Sequence, residues 1–265
     1  MKDKLFGVIV MLIAVSFTAV AQDTGTQVPT EVKMRKWFVG TGTGFTMYGA
    51  STPDYKFIRG NVSWHDHVYN SDIASFAFSW HAGLGVELQS ANTRFGYSIG
   101  VRYTIYMGFL GATTYDNDDD DDFFYVRLEE NGTQTDYLRV KSINQINSYV
   151  GIPLEFRYLL FKPMLFRPYM KLGADFNFKI NDSSNVKFKD DVMDKYEEDV
   201  AKLFDEAEDF YSTMYFGIGV KVGRVGKINF NIDARIPAFV LTGKKAGLVQ
   251  PIAGGGVNIS VQVPL

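Results

Sequence analysis

Eight segments between Trp37 and the C-terminal Leu265 alternate residue by residue between two faces, and one of the two faces carries almost no charge. In the third, Phe95, Tyr97, Ile99, Val101, Tyr103 and Ile105 oppose Arg94, Gly96, Ser98, Gly100, Arg102 and Thr104. In the second, Phe76, Phe78, Trp80, Leu84 and Val86 oppose Ser79, His81, Gly83, Gly85 and Glu87. A period of two belongs to strands. The charged side chains share a face with glycines: Glu87, Arg102, Glu155, Arg157, Lys171, Asp175, Lys221, Asp233 and Arg235. A soluble sandwich with Greek-key connections hides its apolar faces and seldom mixes Arg and Lys into a minority face like this one. A barrel in lipid does the reverse, with apolar residues outside and charge inside.

The connections point the same way. Long intervals of about 26, 39, 30 and 11 residues alternate strictly with tight ones at residues 90–92, 161–165 and 224–226. Eight antiparallel strands with long loops at one end and short turns at the other close without an exposed edge. The expected fold is therefore all-β, an eight-stranded antiparallel up-and-down transmembrane β-barrel with long extracellular loops and short periplasmic turns. Aromatic residues at segment ends supply two interfacial girdles, Trp37, Phe95, Tyr158 and Phe166 near the turns, and Phe45, Phe76, Tyr103 and Phe178 towards the loops.

Ahead of the barrel, Lys2 and Lys4, an apolar stretch over residues 5–15 and Ala19-Val20-Ala21 have the form of a secretory signal peptide over residues 1–21, cleaved after Ala21. Residues 22–36 are then a periplasmic lead-in and residues 37–265 the barrel domain. Cleavage leaves 25 basic and 29 acidic residues, which argues against a nucleic-acid binder. The absence of cysteine excludes disulfides, thiolate metal sites, a cysteine nucleophile and a lipoprotein anchor.

The stretch Ser148-Tyr149-Val150-Gly151-Ile152-Pro153-Leu154-Glu155-Phe156-Arg157-Tyr158, followed by Phe166-Arg167-Pro168-Tyr169-Met170-Lys171-Leu172-Gly173, resembles the central hairpin of the PorT-like outer-membrane β-barrel family typical of Bacteroidetes, many members of which are called porin-family proteins. The resemblance implies fold and outer-membrane location, and suggests an accessory part in protein secretion or envelope assembly. The family has no shared catalytic residues to carry over.

Eight strands leave an interior just wide enough for side chains, so the inward charges should pair into a plug. The inward glycines (Gly40, Gly42, Gly44, Gly83, Gly85, Gly96, Gly100, Gly217, Gly219) keep a narrow ion path open as the alternative. Such a path would favour anions, because Arg102, Arg157, Lys171, Lys179, Lys221 and Arg235 outnumber Glu87, Glu155, Asp175 and Asp233. The long intervals hold 23 acidic and 11 basic residues, so the loops should meet lipopolysaccharide through divalent cations. Within them Asp116, Asp118, Asp119, Asp120, Asp121 and Asp122 form an oxygen-only run suited to Ca²⁺ or Mg²⁺, although it lacks the Gly and distal Glu of an EF-hand and equally suits a solvated tip.

Around Asn131-Gly132, residues 124–128 and 136–140 predict a hairpin projecting as a ribbon. Val192, Tyr196, Val200, Leu203, Ala207 and Phe210 predict a helix within residues 190–211, either capping the barrel mouth, meeting a partner or packing on its own loops. His65-Asp66-His67 lacks a third metal ligand, and Gly40-Thr41-Gly42-Thr43-Gly44 has strand spacing rather than that of a phosphate loop. A lipid-modifying enzyme needs a nucleophile and base on the apolar face or rim, and no such pair is placed there. The expected function is non-enzymatic and without cofactor: a structural, surface-binding or narrow porin-like role. Its expected partners are outer-membrane lipid and lipopolysaccharide, the barrel-assembly machinery, and an extracellular or envelope protein, with no nucleic acid among them.

Overall fold

The computed structural model describes residues 35–59, 73–90, 94–112, 123–130, 134–161, 165–224, 227–241 and 247–265. The signal segment, most of the lead-in, His65-Asp66-His67, the acidic run at 116–122 and the Asn131-Gly132 turn lie outside the described residues.

The alternating segments form strands, and the strands are longer than the sequence pattern indicates. They are β1 (Arg35–Ser51), β2 (Ile58–Arg59), β3 (Ile73–Ser90), β4 (Phe95–Ala112), β5 (Phe124–Glu130), β6 (Gln134–Leu159), β7 (Phe166–Phe188), β8 (Phe210–Val222), β9 (Asn229–Val240) and β10 (Gln250–Pro264). Eight of them close a ring in the order β1, β3, β4, β6, β7, β8, β9, β10, sealed where β10 pairs with β1. Every neighbour pair is antiparallel. The ring is an eight-stranded up-and-down barrel, with the short turns at one end and the long connections at the other.

Prolines fall where the ladder tolerates a missing N–H. Pro237 sits in a bulge of β9, where the register to β10 shifts between Gly254 and Gly256. At Pro153 the pairing of β6 with β4 skips from Ile99↔Leu154 to Arg102↔Gly151 without changing register.

The outer face is apolar over the middle of the barrel. Leu84, Val101, Ile152, Leu172, Ile218, Phe230, Ile232 and Ile259 are all exposed there, far more contiguous apolar surface than a water-soluble monomer presents. Aromatic pairs rim it: Phe95 lies 5.1 Å from Tyr158 at the short-turn end, and Phe76 lies 4.6 Å from Phe109 at the other.

The hairpin of β5 and β6 has the expected register, Phe124↔Val140 and Leu128↔Asp136, but it is not a free ribbon. Its β6 arm is continuous with the barrel wall, pairing with β7 through Val140↔Phe188, while β5 carries β2 on its far edge. Residues 108–112, 134–146 and 181–188, expected in loops, therefore extend the wall beyond the apolar belt.

In this extension polarity inverts. Leu110, Val126, Leu138, Val140, Ile143, Val186 and Phe188 point inward and are buried, whereas Arg127, Tyr137, Arg139 and Lys187 point outward. On β6 a bulge between Val140 and Ser142 marks the changeover. Soluble-type polarity reappears where the wall leaves the belt.

The helix expected within residues 190–211 shrinks to a 3₁₀ turn (Asp191–Tyr196) and one short helix, α1 (Glu197–Ala201). Tertiary contacts override the periodicity. Val192 is 81% exposed, Val200 is fully buried, and the chain then bends so that Phe204 packs edge-on against Tyr55 and Phe57. Phe210 already belongs to β8, paired with Phe178.

Candidate functional site

Three layers fill the barrel interior. Nearest the short turns, Glu87 accepts from Arg157 at 2.6 Å, Lys221 at 2.9 Å and Gln262 at 2.5 Å. Arg157 stacks over the Tyr169 ring at 4.5 Å and Lys221 over Phe38 at 4.8 Å. Arg167 donates to Asn229 and to the Gly223 carbonyl, tying the β7 entry to the β8–β9 turn.

The second layer is a chain of alternating charges. Asp233 lies 2.5 Å from Lys171, which reaches Glu155 at 3.5 Å. Glu155 also lies 3.5 Å from Arg102 and 3.7 Å from Arg157. Arg102 binds Asp175 at 2.6 Å, and Asp175 lies 3.6 Å from Arg235. Neutral groups complete it: the Tyr215 hydroxyl donates to Glu155 at 2.6 Å, the Tyr169 hydroxyl to Asp233 at 2.9 Å, and the Asn258 amide to Asp233 at 3.1 Å. His81 sits 3.2 Å from both Asn258 and Arg235.

All nine charged lumen residues singled out from the sequence thus meet in one network, and each ammonium or guanidinium among them faces a carboxylate. Charge-assisted bonds of this kind are strongest in fixed geometry away from bulk water, and these side chains are nearly all buried.

Lys179 leaves this set. Its ammonium turns to the Ala207 carbonyl at 2.8 Å and to Asp182 and Asp209, so it holds the loop at the barrel mouth instead of lining a path. It stands opposite Tyr149, one step before the β7 bulge at Ile180 and four residues along β7 from Asp175, so its height places it above the charge layer.

Five of the inward glycines, Gly40, Gly42, Gly83, Gly85 and Gly100, border one cavity. It lies on the β1, β3 and β4 side, with a volume of about 80 Å³, bounded by Gly42, Gly85, Glu87, Arg102, Glu155 and Gln262. That volume suits a few ordered waters.

Above the charges lies a layer the sequence reading missed. Tyr48 and Tyr106 pack 6.0 Å apart, and Tyr149 meets Tyr211 edge-on at 4.6 Å. The available signal was parity, since Tyr106, Tyr149 and Tyr211 share a face with the inward charges of their strands and Tyr48 with the inward glycines of β1. Over the tyrosines, Leu110, Ile143, Phe204, Leu248 and Val249 form an apolar cap across the loop end. Gly247 takes a left-handed backbone, φ +95°, which turns the Leu248 N–H onto Gln145 Oε1 at 2.7 Å.

Tyr55 latches this cap by donating to the Leu248 carbonyl at 2.9 Å, and burial pushes its hydroxyl up to about 12. A raised folded-state value means that the contact contributes fully below pH about 10 and is lost as pH climbs through about 12. Tyrosinate absorbance of the protein minus that of Tyr55→Phe should place this ionisation near pH 12. Ionisation near the ordinary value of about 10 would show that the latch is open.

Among the described residues no group of three or more His, Cys, Asp or Glu could hold a metal. No helix among them is long and apolar enough to cross a membrane, which says nothing of strands.

No family model matches the chain, and no curated protein matches it. Among solved structures it is similar to the outer membrane protein OprG from Pseudomonas aeruginosa at 11% identity and a TM-score of 0.47, covering 88% of this chain and 97% of that one. It is also similar to the COG4313 outer membrane channel from Pseudomonas putida F1 at 9% identity and a TM-score of 0.26, covering 91% of this chain and all of the other.

Proposed function

We propose that this chain is an outer-membrane β-barrel with a plugged lumen, which acts through its loop-end surface as a structural or surface-binding protein. The observation that carries the reading is the interior: charges paired across the wall, a tyrosine layer, and an apolar cap joined to the strands. The belt of exposed Leu, Ile, Val and Phe supports a lipid surround, because only a closed barrel or a helix satisfies its backbone there. The short-turn end, with both chain ends of the barrel, then faces the periplasm and the cap faces outward. The function is non-enzymatic.

Planar-bilayer recording on the refolded mature protein tests this. The expected result is no reproducible conductance steps from protein shown to be folded, both for the native chain and after Phe204→Ala in the cap, since the charge network still spans the lumen. Steps whose anion preference falls when Arg102, Arg157 and Lys171 are changed to Glu would establish a channel and overturn the plug.

A second reading is favoured by the Ile152-Pro153-Leu154 and Arg167-Pro168-Tyr169 stretches that resemble PorT-like proteins: an accessory of secretion or envelope assembly. That role requires a stable envelope partner, which coprecipitation from detergent-solubilised membranes would recover.

A further inference from the structure

The wall extension above the apolar belt has an outward face on which cations and aromatic rings alternate. Cross-strand register puts Arg59 beside Tyr125 and Tyr125 beside Arg139, with Lys189 next in the row through its N–H to the Arg139 carbonyl. One row outward, Arg127 stands beside Tyr137, which is 57% exposed. Towards the belt lie Lys187, paired with Ser142, Lys141, the extra residue of the β6 bulge, and Phe123, which precedes β5. The Phe123 ring lies 4.7 Å from the Lys189 ammonium and 5.8 Å from the Arg139 guanidinium. Among the described residues, Glu129 pairs with Arg127 at 2.9 Å and Asp190 with Arg139 at 2.5 Å on this face, and Glu197 reaches its β7 edge by accepting from Asn185 at 3.0 Å.

This accumulation of positive charge opposes the composition of the loop end. Residues 190–209, which include the 3₁₀ turn and α1, carry ten carboxylates against two lysines. The fold therefore sorts charge, with acids on the segment over the mouth and bases on the outward side of the β5, β6 and β7 wall.

Height matters as much as sign. Lys141 lies five residues along β6 from Ile146, which pairs with Met107 at the top of the apolar belt. At about 3.4 Å per residue, less the strand tilt, the Lys141 row stands roughly 10–17 Å above that pair and the Arg139 and Tyr137 rows roughly 15–30 Å above it. At these heights a docked molecule sits at the outer edge of the headgroup layer or beyond it, above lipid covering the belt.

We propose that this face binds the phosphorylated saccharide headgroup of an outer-leaflet glycolipid of the lipopolysaccharide class, with the ammonium and guanidinium groups on its phosphates and the exposed rings against its sugars. The proposal rests on the outer-membrane reading. To the expected divalent-cation bridge from acidic loops it adds direct contact by a basic wall.

The test titrates purified lipopolysaccharide onto the refolded barrel in detergent and reads bound glycolipid by native mass spectrometry. Insertion into phospholipid vesicles is scored in parallel. Native protein should bind saturably, and binding should fall by at least about ten-fold in the triple variant Lys141→Glu, Lys187→Glu, Lys189→Glu. The Lys→Gln version should fall by less, and Lys195→Glu with Lys202→Glu should leave binding unchanged. Enzymatic removal of the phosphates should match the triple charge reversal. Equal binding by that variant, or by dephosphorylated glycolipid, overturns the proposal. Insertion without lipopolysaccharide binding also overturns it while leaving the membrane reading intact, whereas failure to insert removes both.

Discussion

Replacing Glu155 with Ala should lower the folding free energy of the refolded barrel by about 3–5 kcal/mol, the cost of removing one partner from a buried ionic cluster. Glu155 serves three cations and the Tyr215 hydroxyl, so its loss leaves Lys171, Arg102 and Arg157 each short of a counter-charge at once. All three are buried, Lys171 most completely at 1% exposed. Glu155→Gln, which keeps an oxygen for Tyr215 but not the charge, should recover only a minor part of the loss. Glu129→Ala is the matched control: its partner Arg127 is 39% exposed, so less than about 1 kcal/mol is expected. Urea unfolding in vesicles, followed by tryptophan fluorescence, measures all three. A loss below about 1 kcal/mol for Glu155→Ala would mean that water screens the lumen as it does a surface, and the plug would have to be abandoned.

Gly100→Val should prevent the barrel from closing. A Cβ on Gly100 would stand 2.3 Å from the Leu84 carbonyl oxygen and 2.9 Å from the Gly85 Cα, both backbone atoms of the neighbouring strand that cannot rotate away. Strands of a small barrel coil tightly, and at such places only glycine allows the neighbouring backbone to come so near. Even Gly100→Ala forces a backbone shift, and the branched Val adds two methyl groups to the same clash. Gly49→Ala is the contrasting case, since its Cβ meets nothing nearer than the Ala253 oxygen at 3.7 Å, and it should fold as the native chain does. Heat-modifiable gel mobility after refolding separates the outcomes. A folded band for Gly100→Val at native yield would refute the close-approach account of the inward glycines.

Much of this architecture is legible in the residue order. Alternation along β4 placed Ile99 and Val101 outside and Arg102 inside, and the alternation of tight and long connections set the strand count and the end at which the loops gather. The lumen set was legible for the same reason. A period of two assigns every residue of a strand to a side, and only one side tolerated charge. The hairpin register around Phe124 and Val140 also followed from local pattern.

What local pattern could not decide was anything that depends on which strands meet. The sequence did not pair Lys171 with Asp233, on β7 and β9, or Lys179 with Asp209 at the mouth; closure of the ring and its register did. The reversal of polarity above the belt escaped notice because Leu138 and Val140 alternate with charged neighbours as a membrane strand does. Only the height of a residue in the barrel decides whether its apolar partner is lipid or the cap. The expected helix failed on the same ground, since burying Val200 and Phe204 over the mouth outweighed a helical period whose first apolar position, Val192, stays exposed. Periodicity determines the side of the wall on which a residue lies. Contacts between elements far apart in the chain determine what it meets there, because their geometry exists only once the barrel has closed.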